Sequence, residues 1–231
     1  MGFHHSPQIV TNGLVLCLDA GNVKSYPGSG TTWTDISGNG GVATITGAPT
    51  FSNGVFTFNG TTQYAAAGTL SGVATICTVS AFVKKGTTPG WYGSLFGFGT
   101  STETTQDLYY WSAQHTMGFN TWNTDCYGYA NADAAGEAMD GNWHHVGVVF
   151  NRTAITSGKI YVDGVLKTLS QTYGTTLTRT VSSNFGVGYN GHWSGTQTYG
   201  GSLQSIQVYN RELSQAEITQ NYRAGKKRFG L

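Results

Sequence analysis

Charge is what this 231-residue chain has least of. Its acidic and basic side chains make up 10% of the residues, 12 basic against 11 acidic, for a net charge of +1. An ordinary globular domain carries about 25%. A basic field able to offset phosphates is therefore missing, which excludes a nucleic-acid binder. Disordered chains combine high net charge with few aromatics, whereas aromatics here reach 13%. Cysteine is scarce as well. Cys17, Cys77 and Cys126 are an odd number, far apart and without a C-x-x-C pair. Neither a disulfide framework nor a zinc site is indicated, and buried free thiols are expected. No apolar run approaches the roughly 18 residues of a membrane helix. The start, Met1 to Pro7, has neither the basic nor the apolar region of an export signal. A soluble chain without membrane contact or leader is the expectation.

Glycine and threonine are abundant instead, with 34 glycines and 33 threonines. Threonine and aromatics suit pleated surfaces and glycine suits tight turns, so a β-rich fold is indicated rather than a helical bundle. Apolar segments recur between turn signals. Strands are predicted over Leu14–Leu18, Val55–Phe58, Thr75–Val83, Ser94–Phe98, Trp143–Phe150, Lys159–Val162, Val165-Leu166, Phe185–Tyr189 and Leu203–Tyr209. Asn59-Gly60 and Asp163-Gly164 read as hairpin turns. The stretch from Gly21 to Gly41 reads as a loop anchored by Trp33 and Ile36.

Along Trp143–Phe150, His144, Val146, Val148 and Phe150 share the face expected to meet the core, with Trp143, His145, Gly147 and Val149 opposite. Ser214-Gln215-Ala216-Glu217 fits a capping box and opens one short helix, expected to stop near Ala224-Gly225. Arg211, beside that helix start, is expected to pin the tail to the last strand. One domain is read over 8–224, between an N-terminal arm (1–7) and a basic C-terminal tail (225–231) read as solvated, with docking on an acidic partner the alternative.

Four stretches, in order, resemble the concanavalin A-like (laminin G-like) lectin/glucanase superfamily. Trp33-Thr34-Asp35-Ile36-Ser37-Gly38-Asn39-Gly40 resembles its opening loop, and Phe56-Thr57-Phe58-Asn59-Gly60 its hairpin. Asn142–Phe150 followed by Gly158–Gly164 resembles its most recognisable strand pair, and Ile206–Ile218 its closing motif. The resemblance implies an all-β jelly-roll sandwich of two curved antiparallel sheets. More narrowly, Leu16-Cys17-Leu18-Asp19-Ala20-Gly21-Asn22, the loop at 33–40, Gln220-Asn221-Tyr222 and Arg228-Phe229-Gly230 are similar to structural proteins of tailed bacteriophages, cyanophages among them. That likeness implies a virion protein assembled in the host cytoplasm, homo-oligomeric or lattice-bound, with other virion proteins and host-surface polysaccharide as partners. The compact chain favours capsid decoration (cement) over a tail part, and many weak contacts on one lattice act together.

Chemistry-bearing residues give few candidates. Glycosidases need two carboxylates about 5–5.5 or 6.5–9.5 Å apart, and the E-x-D-x-x-E spacing of the superfamily's glucanases is absent. Asp133, Glu137 and Asp140 lie in an Ala/Gly-rich loop and read as solvated. Calcium would need six to eight converging oxygens, which this spacing does not support, so no cofactor or metal site is assigned. His4-His5, His115, His144-His145 and His192 show no ligand spacing and read as structural or solvated. Two segments that join strands set aromatics beside polar residues: Trp122-Asn123 with Asp125, and Tyr189-Asn190-Gly191-His192-Trp193. Such rings stack on sugars or else cap the core or a subunit contact. The sequence reading is thus a virion structural protein that is not an enzyme, with a carbohydrate-binding adhesin as the alternative and a glycan hydrolase third.

Overall fold

The computed structural model describes residues 8–73, 75–86, 92–100, 106–120, 125–151, 154–174, 182–189 and 198–231, with the backbone alone at 120, 125, 126 and 172–174. In chain order the strands are β1 (Leu14–Asp19), β2 (Thr32–Thr34), β3 (Val42–Thr46), β4 (Thr50–Ser52), β5 (Val55–Asn59), β6 (Tyr64–Thr69), β7 (Ile76–Lys85), β8 (Tyr92–Phe98) and β9 (Gln106–Trp111). They continue with β10 (Thr116–Asn120), β11 (Asp125–Tyr129), β12 (Trp143–Asn151), β13 (Lys159–Val162), β14 (Val165–Leu166), β15 (Ser170–Gly174), β16 (Asn184–Val187) and β17 (Gly200–Tyr209), before helix α1 (Gln215–Gly225). One sheet, A, runs β14-β13-β12-β7-β17-β5-β4 with β1 also paired to β17. The other, B, runs β15-β11-β10-β9-β8-β16-β6-β3-β2. The expected two-sheet antiparallel sandwich with one C-terminal helix is what forms.

Alternation on β12 places the core. Val146, Val148 and Phe150 join the main cluster between the sheets, among Phe96, Phe98, Phe119 and Phe185. Val149, on the opposite face, joins a second cluster outside sheet A with Tyr161, Tyr209, Leu213, Ile218 and Val10. That outer cluster exists because α1 lies on it. A Cβ on Gly147 would stand 2.9 Å from Ile218 Cδ1, so the glycine lets the helix approach.

The Asp163-Gly164 turn forms as expected, both residues having positive φ (50° and 82°), the requirement of a type I′ hairpin. Asn53-Gly54, φ 50° and 75°, makes a second such hairpin between β4 and β5. Asn59-Gly60, in contrast, is no hairpin. The Asn59 side chain accepts from the amides of Thr61 and Thr62 (3.0 Å each) and steers the chain from sheet A into β6 of sheet B. Within the predicted loop, Trp33 is fully buried on short strand β2, whereas Ile36 is half-buried. Cys17 and Cys77 are buried free thiols, and the Cys126 side chain lies outside the described residues.

At the helix start both capping-box bonds are present, Ser214 with the Glu217 amide and the Glu217 carboxylate with Ser214. Arg211 holds Glu217 through both terminal nitrogens (3.0 and 2.5 Å) and also donates to the Asn12 carbonyl (3.1 Å). It thereby ties the end of β17 to the helix and to the N-terminal segment. The α-helix stops at Gly225, as expected. A 3-10 turn over Lys226–Phe229 follows, and Gly230, at φ 74°, ends it. The tail, read as solvated, is anchored at one ring while Lys227 and Arg228 stay exposed: Phe229 stacks on Phe82 (4.5 Å, 19°) and packs on Trp143 (4.5 Å). Arg228 Nη1 reaches Asp19 Oδ2 at 2.7 Å, so two separate motifs of the narrower resemblance, the Leu16–Asn22 and Arg228–Gly230 segments, meet in space.

Candidate functional site

Register decides how the predicted sugar-stacking segments sit. Asn120, which precedes segment 121–124, pairs with Asp107, and Asp107 pairs with Gly97. The strand ends Asn120 and Asp125, which flank the segment with Trp122 and Asn123, lie at that end of sheet B. The opposite end carries the start of β8, the end of β9 and the start of β10, because Trp111 pairs with both Tyr92 and Thr116. Tyr189 follows the end of β16, beside the start of β6. The two segments therefore leave sheet B at opposite ends, separated by the length of β9, about 17 Å at ~3.4 Å per residue. Trp122, Asn123, His192 and Trp193 lie outside the described residues, as does the Asp125 side chain.

Tyr189 lies at an end rich in rings. On β9, Leu108 and Tyr110 belong to the main core, so alternation turns Tyr109 and Trp111 outward. Tyr92 stacks on Trp111 (5.1 Å, 21°) and lies 6.0 Å from Tyr109. Tyr64 and Tyr189 form a second pair at 4.3 Å. Tyr64, Tyr92 and Trp111 are half-buried, whereas Tyr189 and Tyr109 are buried. An aromatic row thus borders one end of the outer face of sheet B. Tyr189 was legible in the sequence; Tyr64, Tyr92 and Trp111 were not. The run Leu108-Tyr109-Tyr110-Trp111 was the available signal.

A polar cluster stands at the same end. Lys85 Nζ donates to the Tyr110 hydroxyl (3.1 Å), and that hydroxyl donates to Asp133 Oδ2 (2.9 Å). His115 Nδ1 lies 2.6 Å from the same oxygen. Burial works against the Asp133 anion, but His115 and Tyr110 outweigh it and hold its carboxyl below the usual range. The acidic loop expected to be solvated is therefore paired: Glu137 accepts from Lys167 at 2.7 Å, and Asp140 meets His144 Nε2 at 3.0 Å. His115 is likewise not an isolated histidine. His144 and His145 do point to opposite faces, His144 to Asp140 and Asp163, His145 to Ser80 Oγ (2.8 Å). Among the described residues no three His, Cys, Asp or Glu side chains converge as a metal would require.

At the far end of the same face, Asp107 is fully enclosed. Burial drives its carboxyl up to about 7, against the pull of Ser94 and its own amide. A Cβ on Gly97 would stand 2.4 Å from the Asp107 Cβ, so the glycine makes room for this side chain.

Comparison with known proteins bears on the fold. A sequence profile described as the concanavalin A-like lectin/glucanases superfamily matches residues 59–219, more than half of the chain. No curated protein matches. Among solved structures, Trypanosoma rangeli sialidase in complex with sialic acid superimposes with TM-score 0.67 at 18% identity, covering 94% of this chain and 33% of the sialidase. The binding domain of botulinum neurotoxin DC in complex with SialylT gives 0.65 at 12% identity, covering 93% of this chain and 52% of that one. The receptor-binding domain of the botulinum neurotoxin C/D mosaic serotype gives 0.64 at 10%, covering 92% and 51%. The chain thus spans about a third of the sialidase and half of the toxin domains, and at these identities the likeness shows the fold alone. The sequence reading that this is not an enzyme is corrected here, since sialidases stand among the most similar structures. The chain belongs to the concanavalin A-like lectin/glucanases superfamily.

Proposed function

We propose that this chain binds carbohydrate at the aromatic end of sheet B. The observation that carries the reading is the Tyr92–Trp111 stack, half-buried on an outward face beside the Tyr64–Tyr189 pair. A pyranose ring has an apolar C–H face that suits such rings, while its hydroxyls need the polar partners that Lys85, His115 and Asp133 supply. Support in kind comes from structural neighbours captured with sialic acid or a sialyl ligand. The test is a glycan array probed with the intact chain and with Trp111→Ala. A signal that Trp111→Ala abolishes is expected, and a signal indifferent to Trp111 overturns the site.

The finer setting, a phage virion, belongs to the same proposal. It rests on the sequence likeness of the Leu16–Asn22 and Arg228–Gly230 segments, which the fold joins through Asp19 and Arg228. Capsid decoration and a tail part differ in copy number, and mass spectrometry of purified virions decides whether either holds. Absence of the chain from particles ends this part of the reading.

A further inference from the structure

We propose that Asp107 is a proton-operated latch on the β8–β9–β10 end of sheet B, closed while its carboxyl is neutral and loosened when the carboxyl ionises. Leu108 and Tyr110 belong to the main core, so alternation puts Asp107 on the outer face. There it pairs with Gly97 of β8 and Asn120 of β10. Because Gly97 lacks a Cβ, the Asp107 side chain fills the space above it. The residue is 2% exposed, and its Oδ1 is buried without a hydrogen-bond partner. An enclosed carboxylate needs donors or a cation, and neither stands at Oδ1. A neutral carboxylic acid needs no such partner and has an O–H of its own to give.

Among the described residues no compensating charge reaches it. The same face carries Ser94 and Tyr92 on β8, Tyr109 and Trp111 on β9, Thr116 and Gly118 on β10, and Gly186 on β16. Tyr92 and Tyr109 are the titratable groups of that set, and phenols are neutral at neutral pH. One strand further, register brings Gly128 and Cys126 of β11 to this face, while Asp125 shares the core-side alternation of Tyr127. Gln106 also turns to the core side, where its Nε2 donates to the Asn151 carbonyl (3.0 Å). Lys85, His115 and Asp133 gather beyond the other end of β9, around Tyr110. Burial outweighs Ser94 and the residue's own amide and holds the carboxyl up at about 7, against an ordinary 3.8. The closed state therefore keeps a proton that an opened, hydrated strand releases across that window. Opening gains up to about tenfold per pH unit until the closed state itself ionises, then levels off.

The experiment is amide hydrogen exchange of the intact chain, read by NMR from about pH 5 to about pH 8.5 and corrected for the intrinsic rate. Wild type, Asp107→Asn and Ser94→Ala are compared; the asparagine keeps the shape of the acid and cannot ionise. In wild type, opening at the amides of β9 should rise by up to about tenfold per pH unit toward neutrality and then flatten. Asp107→Asn should lose that slope. At every pH the β9 amides should open more readily than those of β12 and β17. In isotope-labelled protein the Asp107 carboxyl resonance, assigned through its own backbone, should titrate near 7, and Ser94→Ala should move its midpoint up. A midpoint in the ordinary carboxylate range overturns the latch. So does a slope that Asp107→Asn retains, or β9 exchange in step with β12 and β17. Should Asp107→Asn not fold, the wild-type titration and its displacement in Ser94→Ala decide the matter.

Discussion

His144 and His145 are neighbours in sequence, yet they titrate in opposite directions because β12 turns their rings to opposite faces. At His144, burial opposes the charged form, but Asp163 at Nδ1 (2.7 Å) and Asp140 at Nε2 (3.0 Å) outweigh it and raise its pKa above 6.5. At His145, burial beneath α1 dominates, Asp163 offsets it only in part, and the pKa falls to about 4. The signs follow from linkage. The contribution of His144 is fully present below its ordinary value of 6.5 and is lost as pH rises through the raised folded value. His145, neutral when folded, loses stability as pH falls from 6.5 toward about 4. Urea unfolding at pH 5 and pH 8.5 should therefore show His144→Gln costing more at pH 5. His145→Gln should lose less on acidification than wild type, with slopes up to about 1.4 kcal/mol per pH unit for one proton. Parallel profiles for all three proteins would contradict these environments.

Among the elements, the C-terminal 3-10 turn shows how a short segment is held by others. Gly225 abuts Phe82, where a Cβ would stand 2.2 Å from Phe82 Cε2. Phe229 then stacks on Phe82 and Trp143, and Arg228 pairs with Asp19. Deleting residues 226–231 should lower the unfolding free energy by about 1–3 kcal/mol, mostly from the lost burial of one phenylalanine, and should shift Trp143 fluorescence. An unchanged urea midpoint would show that the tail is not held there.

The same scale separates what was legible from what was not. The β12–β13–β14 strands were readable because alternation and Asp163-Gly164 agree, and α1 because Ser214 and Glu217 stand three apart. β9 was not, since Gln106–Tyr110 are buried on both faces and leave no alternation. β6 is mostly alanine and glycine and carries little pattern of its own. The docked tail was missed because its three consecutive basic residues suggest solvent, while its anchor, Phe229, meets Phe82 and Trp143 only through tertiary contact. In the candidate site Tyr189 was visible beside a polar segment. Its partner Tyr64 and the Tyr92–Trp111 stack depend on sheet register, which joins residues far apart in sequence.

For the whole molecule, the two outer faces of the sandwich differ in what they carry. The outer face of sheet A is covered by the chain's own segments: the Val10 amide donates to Asn221 Oδ1 (2.8 Å), and α1 and Phe229 pack over β7 and β12. The outer face of sheet B instead presents the half-buried Tyr64, Tyr92 and Trp111 at one end. The central claim is that sugar is held there. Its most direct measurement is amide and aromatic chemical-shift mapping by NMR with a glycan that the array identifies. Shifts should concentrate at Tyr64, Tyr92, Trp111, His115 and Tyr189. Shifts confined to the groove lined by Ile76, Val149, Lys159 and Glu212 on sheet A would contradict it.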